Sequence, residues 1–145
     1  KVGAFCIDEK NMLLVARKAR EHKISMLQAE LMTEAPRHDL IGHAICKRWN
    51  LPEYIGQVCL NHHTVSRNQR NISMTDSHND FIDVVILANY LVHKIGLGYS
   101  GHNSTENGIE EVLEYLEINN QDLKKIEELA KNEIKQSGGM MELLG

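Results

Sequence analysis

The sequence predicts an all-α domain. Three observations carry this: apolar residues recur at helical spacing along most of the chain, cap and stop residues divide it into segments of helical length, and no alternating apolar–polar run marks a convincing strand. About six to seven helices are expected, arranged as a bundle. Residues 8–22 open on Asp8-Glu9 and close on Lys18, Arg20 and His22, the charge order that a helix dipole favours. Ser25-Met26-Leu27-Gln28 reads as a capping box, opening a helix that Pro36 must end. A third helix is expected over 37–48, with Leu40, Ile41, Ala44 and Ile45 on its apolar face. Pro52 suits the first position of a fourth, which runs through Ile55, Val58 and Cys59 to His62-His63.

Residues 64–78 carry two large apolar residues, Ile72 and Met74, and read as a mobile surface loop. Asn79 or Asp80 then caps the most apolar helix, 81–95. Its run Val84-Val85-Ile86-Leu87-Ala88 is apolar on every side, which predicts the central helix. Gly96 and Gly98 end it, and a loop follows over 98–101. Two amphipathic helices, about 108–118 and 120–136, close the chain, the second laced with i,i+4 pairs such as Lys124 with Glu128. The apolar tail after Gly138-Gly139 reads as a segment that docks on the body or on a second copy, making a homodimer.

Composition bounds the function. The 145 residues are 42% apolar and 25% charged, which suits one globular domain with a real core. Sixteen basic and 20 acidic residues give a net charge of -4 with no basic block, which disfavours nucleic acid. Arg67, Arg70 and Asn71 are the one group that points toward phosphate. No run is long and apolar enough for a membrane span, and none has the flanks of a signal peptide. Cys6, Cys46 and Cys59 form no CxxC pair and read as buried or free thiols in a reducing cytoplasm. The opening Val2-Gly3-Ala4-Phe5-Cys6-Ile7 reads as the inside of a buried element, so the chain is expected to be N-terminally truncated.

The histidines carry the chemistry. Asp39 and His43 are i,i+4 neighbours that could reach one ion, but a polar first helical turn explains them more simply. His62 and His63 are adjacent and cannot both face the core, and a metal there needs ligands from other helices. Glu30 is expected to anchor a buried polar contact with His38 or a backbone amide, because an unpaired buried carboxylate is costly. Trp49 is expected in the core, locking the third and fourth helices together with Pro52 fixing the turn.

Glu30, His38, Gly42, Trp49-x-Leu51-Pro52 and His62-His63 together resemble the second half of an HDOD domain. That family is a non-catalytic bacterial signalling branch of the HD-domain phosphohydrolase superfamily. The likeness continues through Val84–Leu91 and Gly96-Leu97-Gly98, about 70 residues in all. It implies an HD-domain-like helical domain over 1–106 and a helical extension over 107–145 that packs on it. It also places the His-Asp dyad just before Lys1. By the same resemblance His38, His62 and His63 match three metal positions of the superfamily's enzymes, here as a vestigial site. The late Asp of those enzymes is Asn89, a poorer ligand for a hydrolytic cation. The HD-GYP branch is a poor match: Thr64 follows the His pair, and Gly98-Tyr99-Ser100 falls a helix too late.

The resemblance therefore implies a cytoplasmic regulatory or output module, without catalysis or cofactor. It would act through other signalling proteins or an upstream sensory or receiver domain. The alternative is a metal-dependent phosphohydrolase or phosphodiesterase, in which His38, His62 and His63 join the upstream dyad around iron, manganese or zinc.

Overall fold

The computed structural model describes residues 8–70, 75–96 and 108–142, with side chains to residue 136. Among the described residues there are seven α-helices, one 3-10 turn and no strand: α1 (Glu9–His22), α2 (Met26–Met32), α3 (His38–Arg48), α4 (Glu53–Asn61), the 3-10 turn (Arg67–Gln69), α5 (Asp76–Ile95), α6 (Ile109–Tyr115) and α7 (Asn120–Glu142). The all-α expectation holds. His102, the 98–101 loop and the opening residues lie outside the described residues, as do the side chains of the apolar tail. No described helix is long and apolar enough to cross a membrane.

Local chemistry explains the boundaries. The Asp8 carboxylate accepts from the Lys10 amide at 2.9 Å and opens α1, which closes where Lys23 turns left-handed at φ 54°. The capping box on α2 is complete: the Ser25 hydroxyl accepts from the Gln28 amide at 3.3 Å, and the Gln28 side chain accepts from the Ser25 amide at 3.0 Å. Ser25 is buried, so Ser25→Ala should cost about 1 kcal/mol, read from the shift of a urea unfolding midpoint. An unchanged midpoint would mean that the cap is not felt.

Among the described residues, apolar side chains form two clusters. Val15, Ala19, Met26 and Ala29 bury the α1–α2 hairpin. Ile82, Ile86, Leu87 and Leu91 form one stripe of α5 and pack with Val112, Leu113 and Leu123 of α6 and α7. Each such aliphatic side chain, fully buried, stabilises by roughly 1.5–3 kcal/mol. A Lys94–Glu127 ion pair of 2.9 Å adds a polar tie between α5 and α7. Helix α5 packs against α4, α6 and α7, which makes it the central helix, as expected. It is not apolar all round, however: Val84 is 53% exposed.

Several expectations need correction. Trp49 is not a core residue. It is the C-cap of α3 and is 63% exposed. Trp49→Ala should therefore change stability by less than about 1 kcal/mol in urea unfolding; a loss of several would restore the buried ring. The buried face of α3 carries Asp39 and Cys46, whereas Leu40 is exposed. Pro52 is the cap before α4, not its first residue. Helix α2 ends at Met32, four residues ahead of Pro36, and α5 starts at Asp76, capped by Thr75. Helix α6 ends at Tyr115, and the backbone of α7 continues through the double glycine to Glu142. On α7 the i,i+4 ion pair is Glu127 with Lys131, 2.7 Å apart.

Of the two glycines between α3 and α4, Gly56 is the tight one and Gly42 would take a methyl in ordinary contact. A Cβ at Gly42 would lie 3.4 Å from Cys59 Cβ, and one at Gly56 only 3.1 Å from His43 Nδ1. His43 Nδ1 is also 3.0 Å from the Gly56 carbonyl oxygen, so the Gly56→Ala methyl must shift, by a few tenths of an ångström, a ring that this hydrogen bond holds. The expected cost is about 1–3 kcal/mol in denaturant unfolding. A neutral result would show that the helices yield freely.

Candidate functional site

The α3–α4 packing fixes where the histidines point. His38 opens α3 and His62 caps the end of α4, with His63 next to it. Their Nε2 atoms converge: His38 to His63 is 2.8 Å and His38 to His62 is 3.3 Å. One ligand atom from each of the three lies within 4.8 Å of the others, which makes them a group able to surround a single ion. The structure thus brings together His38, His62 and His63.

The far side of each of two rings is anchored. Glu30, fully buried on α2, places both carboxylate oxygens 2.8 Å from His38 Nδ1 and also accepts from the His38 amide at 3.2 Å. Both partners expected for Glu30 are therefore present. His62 Nδ1 lies 2.7 Å from the Cys59 carbonyl oxygen. A carboxylate and a carbonyl can only accept, so both Nδ1 atoms donate. That leaves the Nε2 of each ring to receive a proton or a cation. Burial, and then the nearby His63 imidazole, push the His62 pKa from 6.5 down to about 4, so at neutral pH this ring offers a lone pair.

Asp39 and His43 take no part. Asp39 accepts from Arg37 and from the Leu40 amide at 2.8 Å, while His43 Nδ1 is turned to the Gly56 carbonyl of α4. Burial alone would raise the Asp39 carboxyl, but the Arg37 guanidinium outweighs it and holds the group below the usual carboxylate range. Asn89 stands half-buried on α5. Cys46 and Cys59 are free thiols with sulfurs 3.7 Å apart, and burial pushes the Cys59 thiol up to about 11, which keeps it protonated.

A second polar centre was not anticipated. Among residues 64–70, expected as surface loop, Arg70 is buried, and 71–74 lie outside the described residues. Arg70 and Arg67 both donate to Asp83 of α5, at 2.5 Å in each case, and Arg67 reaches Asp80 at 2.7 Å. The Arg67 guanidinium also sits 4.5 Å from the Tyr115 ring centroid on α6. These two cations are committed to carboxylates. The signal was present in the sequence: Asp83 interrupts the most apolar helix, and a buried carboxylate demands a partner.

Comparison with known families decides one point. The family model for the HDOD domain matches residues 1–65, a little under half of the chain. The matched segment includes Glu30, His38, His62 and His63, and therefore the whole histidine cluster. It stops short of α5, which the sequence resemblance had included. No curated protein and no solved structure matches the chain.

Proposed function

We propose that the chain is part of an HDOD-type regulatory module, acting through protein interaction in bacterial signal transduction without catalysis of its own. One observation carries this reading: among the described residues the cluster is three imidazoles with no carboxylate among them. Among the described residues, the two acids that meet the cluster or its ligands are held by internal partners: Glu30 by His38 and Asp39 by Arg37. A hydrolytic site needs a positioned acid or base beside the ion, and none of these is free to serve. Asn89 in place of the late carboxylate supports the same conclusion. Under this reading the module works in the cytoplasm with other signalling proteins or a sensory or receiver domain.

The donor set favours a second reading, a metal-dependent phosphohydrolase or phosphodiesterase. Neutral imidazoles suit iron, zinc and similar ions. A tetrahedral ion with metal–nitrogen bonds of about 2.0–2.1 Å spans nitrogens about 3.3 Å apart, close to the 2.8 and 3.3 Å observed. Glu30 behind His38 and the Cys59 carbonyl behind His62 are the outer contacts that hold a ligating imidazole in one orientation. His38, His62 and His63 would hold the ion, and a bound ion would supply Lewis acidity toward water or phosphate.

The two readings part on turnover. With zinc, manganese or ferrous iron supplied, the protein should hydrolyse bis(p-nitrophenyl) phosphate no faster than the ions alone. Metal-dependent turnover abolished by His62→Ala would overturn the regulatory reading and establish the enzyme.

A further inference from the structure

The cluster depends on a segment that the histidines themselves do not hold. Directly after His63 the chain leaves α4 through Thr64 and Val65. The Thr64 amide donates to the Asn61 carbonyl at 2.8 Å, while the carbonyl oxygens of Thr64 and Val65 accept from a side chain. Arg70 takes both: Nε donates to the Thr64 oxygen at 2.9 Å and an Nη donates to the Val65 oxygen at 3.0 Å. Its other Nη reaches the Asn79 carbonyl and side-chain oxygens at 3.3 and 3.2 Å. The Arg70 side chain is fully buried, and so is Asp83, its charge partner. One guanidinium therefore joins the backbone after His63 to the core helix α5, in a fork geometry that an ammonium cannot reproduce.

We propose that Arg70, held by Asp83, is the positioning residue of the histidine cluster: by clamping the Thr64–Val65 backbone it sets His63 Nε2 against His38 Nε2. Arg67 supplies the internal contrast. It donates to the same Asp83 carboxylate but to neither of the two carbonyls. A role in neutralising Asp83 would be shared by the two arginines, whereas a role in placing His63 belongs to Arg70. The metal arm of the test rests on the cluster's capacity to hold a cation; the imidazole arm does not.

The experiment compares Arg70→Lys with Arg67→Lys in the whole protein, using the imidazole nitrogen resonances of the metal-free form and a titration with cobalt(II). In Arg70→Lys the His63 and His38 ring signals should shift and cobalt affinity should fall about tenfold, the scale for loss of an outer contact to a ligand. In Arg67→Lys both should stay at wild type. A folded Arg70→Lys protein with unshifted His63 and His38 signals would overturn the proposal, as would equal effects from the two variants. Should Arg70→Lys fail to fold, Asp83→Asn takes its place, since it keeps the shape and an acceptor but removes the charge that holds Arg70. The same two rings should then shift, and unshifted signals would again overturn the proposal. Should the wild-type protein itself take up no cobalt, the metal-binding capacity of the cluster fails separately, and the imidazole signals decide the role of Arg70 alone.

Discussion

Asp83→Ala should lower the free energy of unfolding by about 3–5 kcal/mol, the largest loss expected from any single substitution in this chain. The reason is asymmetric. The Asp83 carboxylate is wholly buried and answers two guanidiniums, one of them equally buried. Removing the acid leaves the Arg70 charge in the interior without its counterion, and the cost is set by that stranded charge rather than by the pair's net worth. Asp80 offers a control. It also meets Arg67 but is 57% exposed, so Asp80→Ala should cost at most about 1 kcal/mol. Equilibrium urea unfolding of the two variants against wild type checks both. Equal, small losses would mean that water or other groups compensate Arg70, and that the clamp is not a buried charge pair.

Mild acid should destabilise the protein through His62. Its pKa falls from 6.5 to about 4 on folding, so the folded state holds this proton less tightly than the unfolded chain does. As pH drops below about 6.5 the unfolded chain takes up the proton first and stability declines. The loss is complete near pH 4 and sums to about 3 kcal/mol, at 1.36 kcal/mol per pKa unit. Asp39 does not blur this window. Its carboxyl is depressed from 3.8, so its contribution is lost only as pH falls below that value. The urea midpoint should therefore shift between pH 7 and 4.5 in the wild type and much less in His62→Gln. A pH dependence that survives His62→Gln would place the proton elsewhere.

How much of this was legible in the sequence differs by feature. Helices closed by local chemistry were the most readable: Ser25 and Gln28 carry their capping box in four adjacent residues, and Gly96 ends α5 at φ 76°. The histidines were readable through the spacing of Glu30, His38 and His62-His63. Even so, the convergence of three Nε2 atoms is a product of the α3–α4 packing, which no local pattern reports. Trp49 failed for a related reason. Ring size predicts burial on average, but Trp49 falls at the C-cap of α3, where the helix ends and the ring stands in solvent. The segment after His63 was misread because polar composition suggests solvent, whereas Arg70 and Asp83 satisfy each other inside the fold. Such pairing is a property of two residues 13 positions apart, and Asp83 alone hinted at it.

Under either reading of function, the site's geometry turns on whether the three imidazoles form one donor set. Titration of the metal-free protein with cobalt(II), followed by its visible absorption, tests this most directly. One equivalent of cobalt should bind with the intense bands of a four-coordinate site, and His62→Ala should abolish those bands. Absence of a cobalt spectrum, or a spectrum that His62→Ala leaves unchanged, would contradict the account.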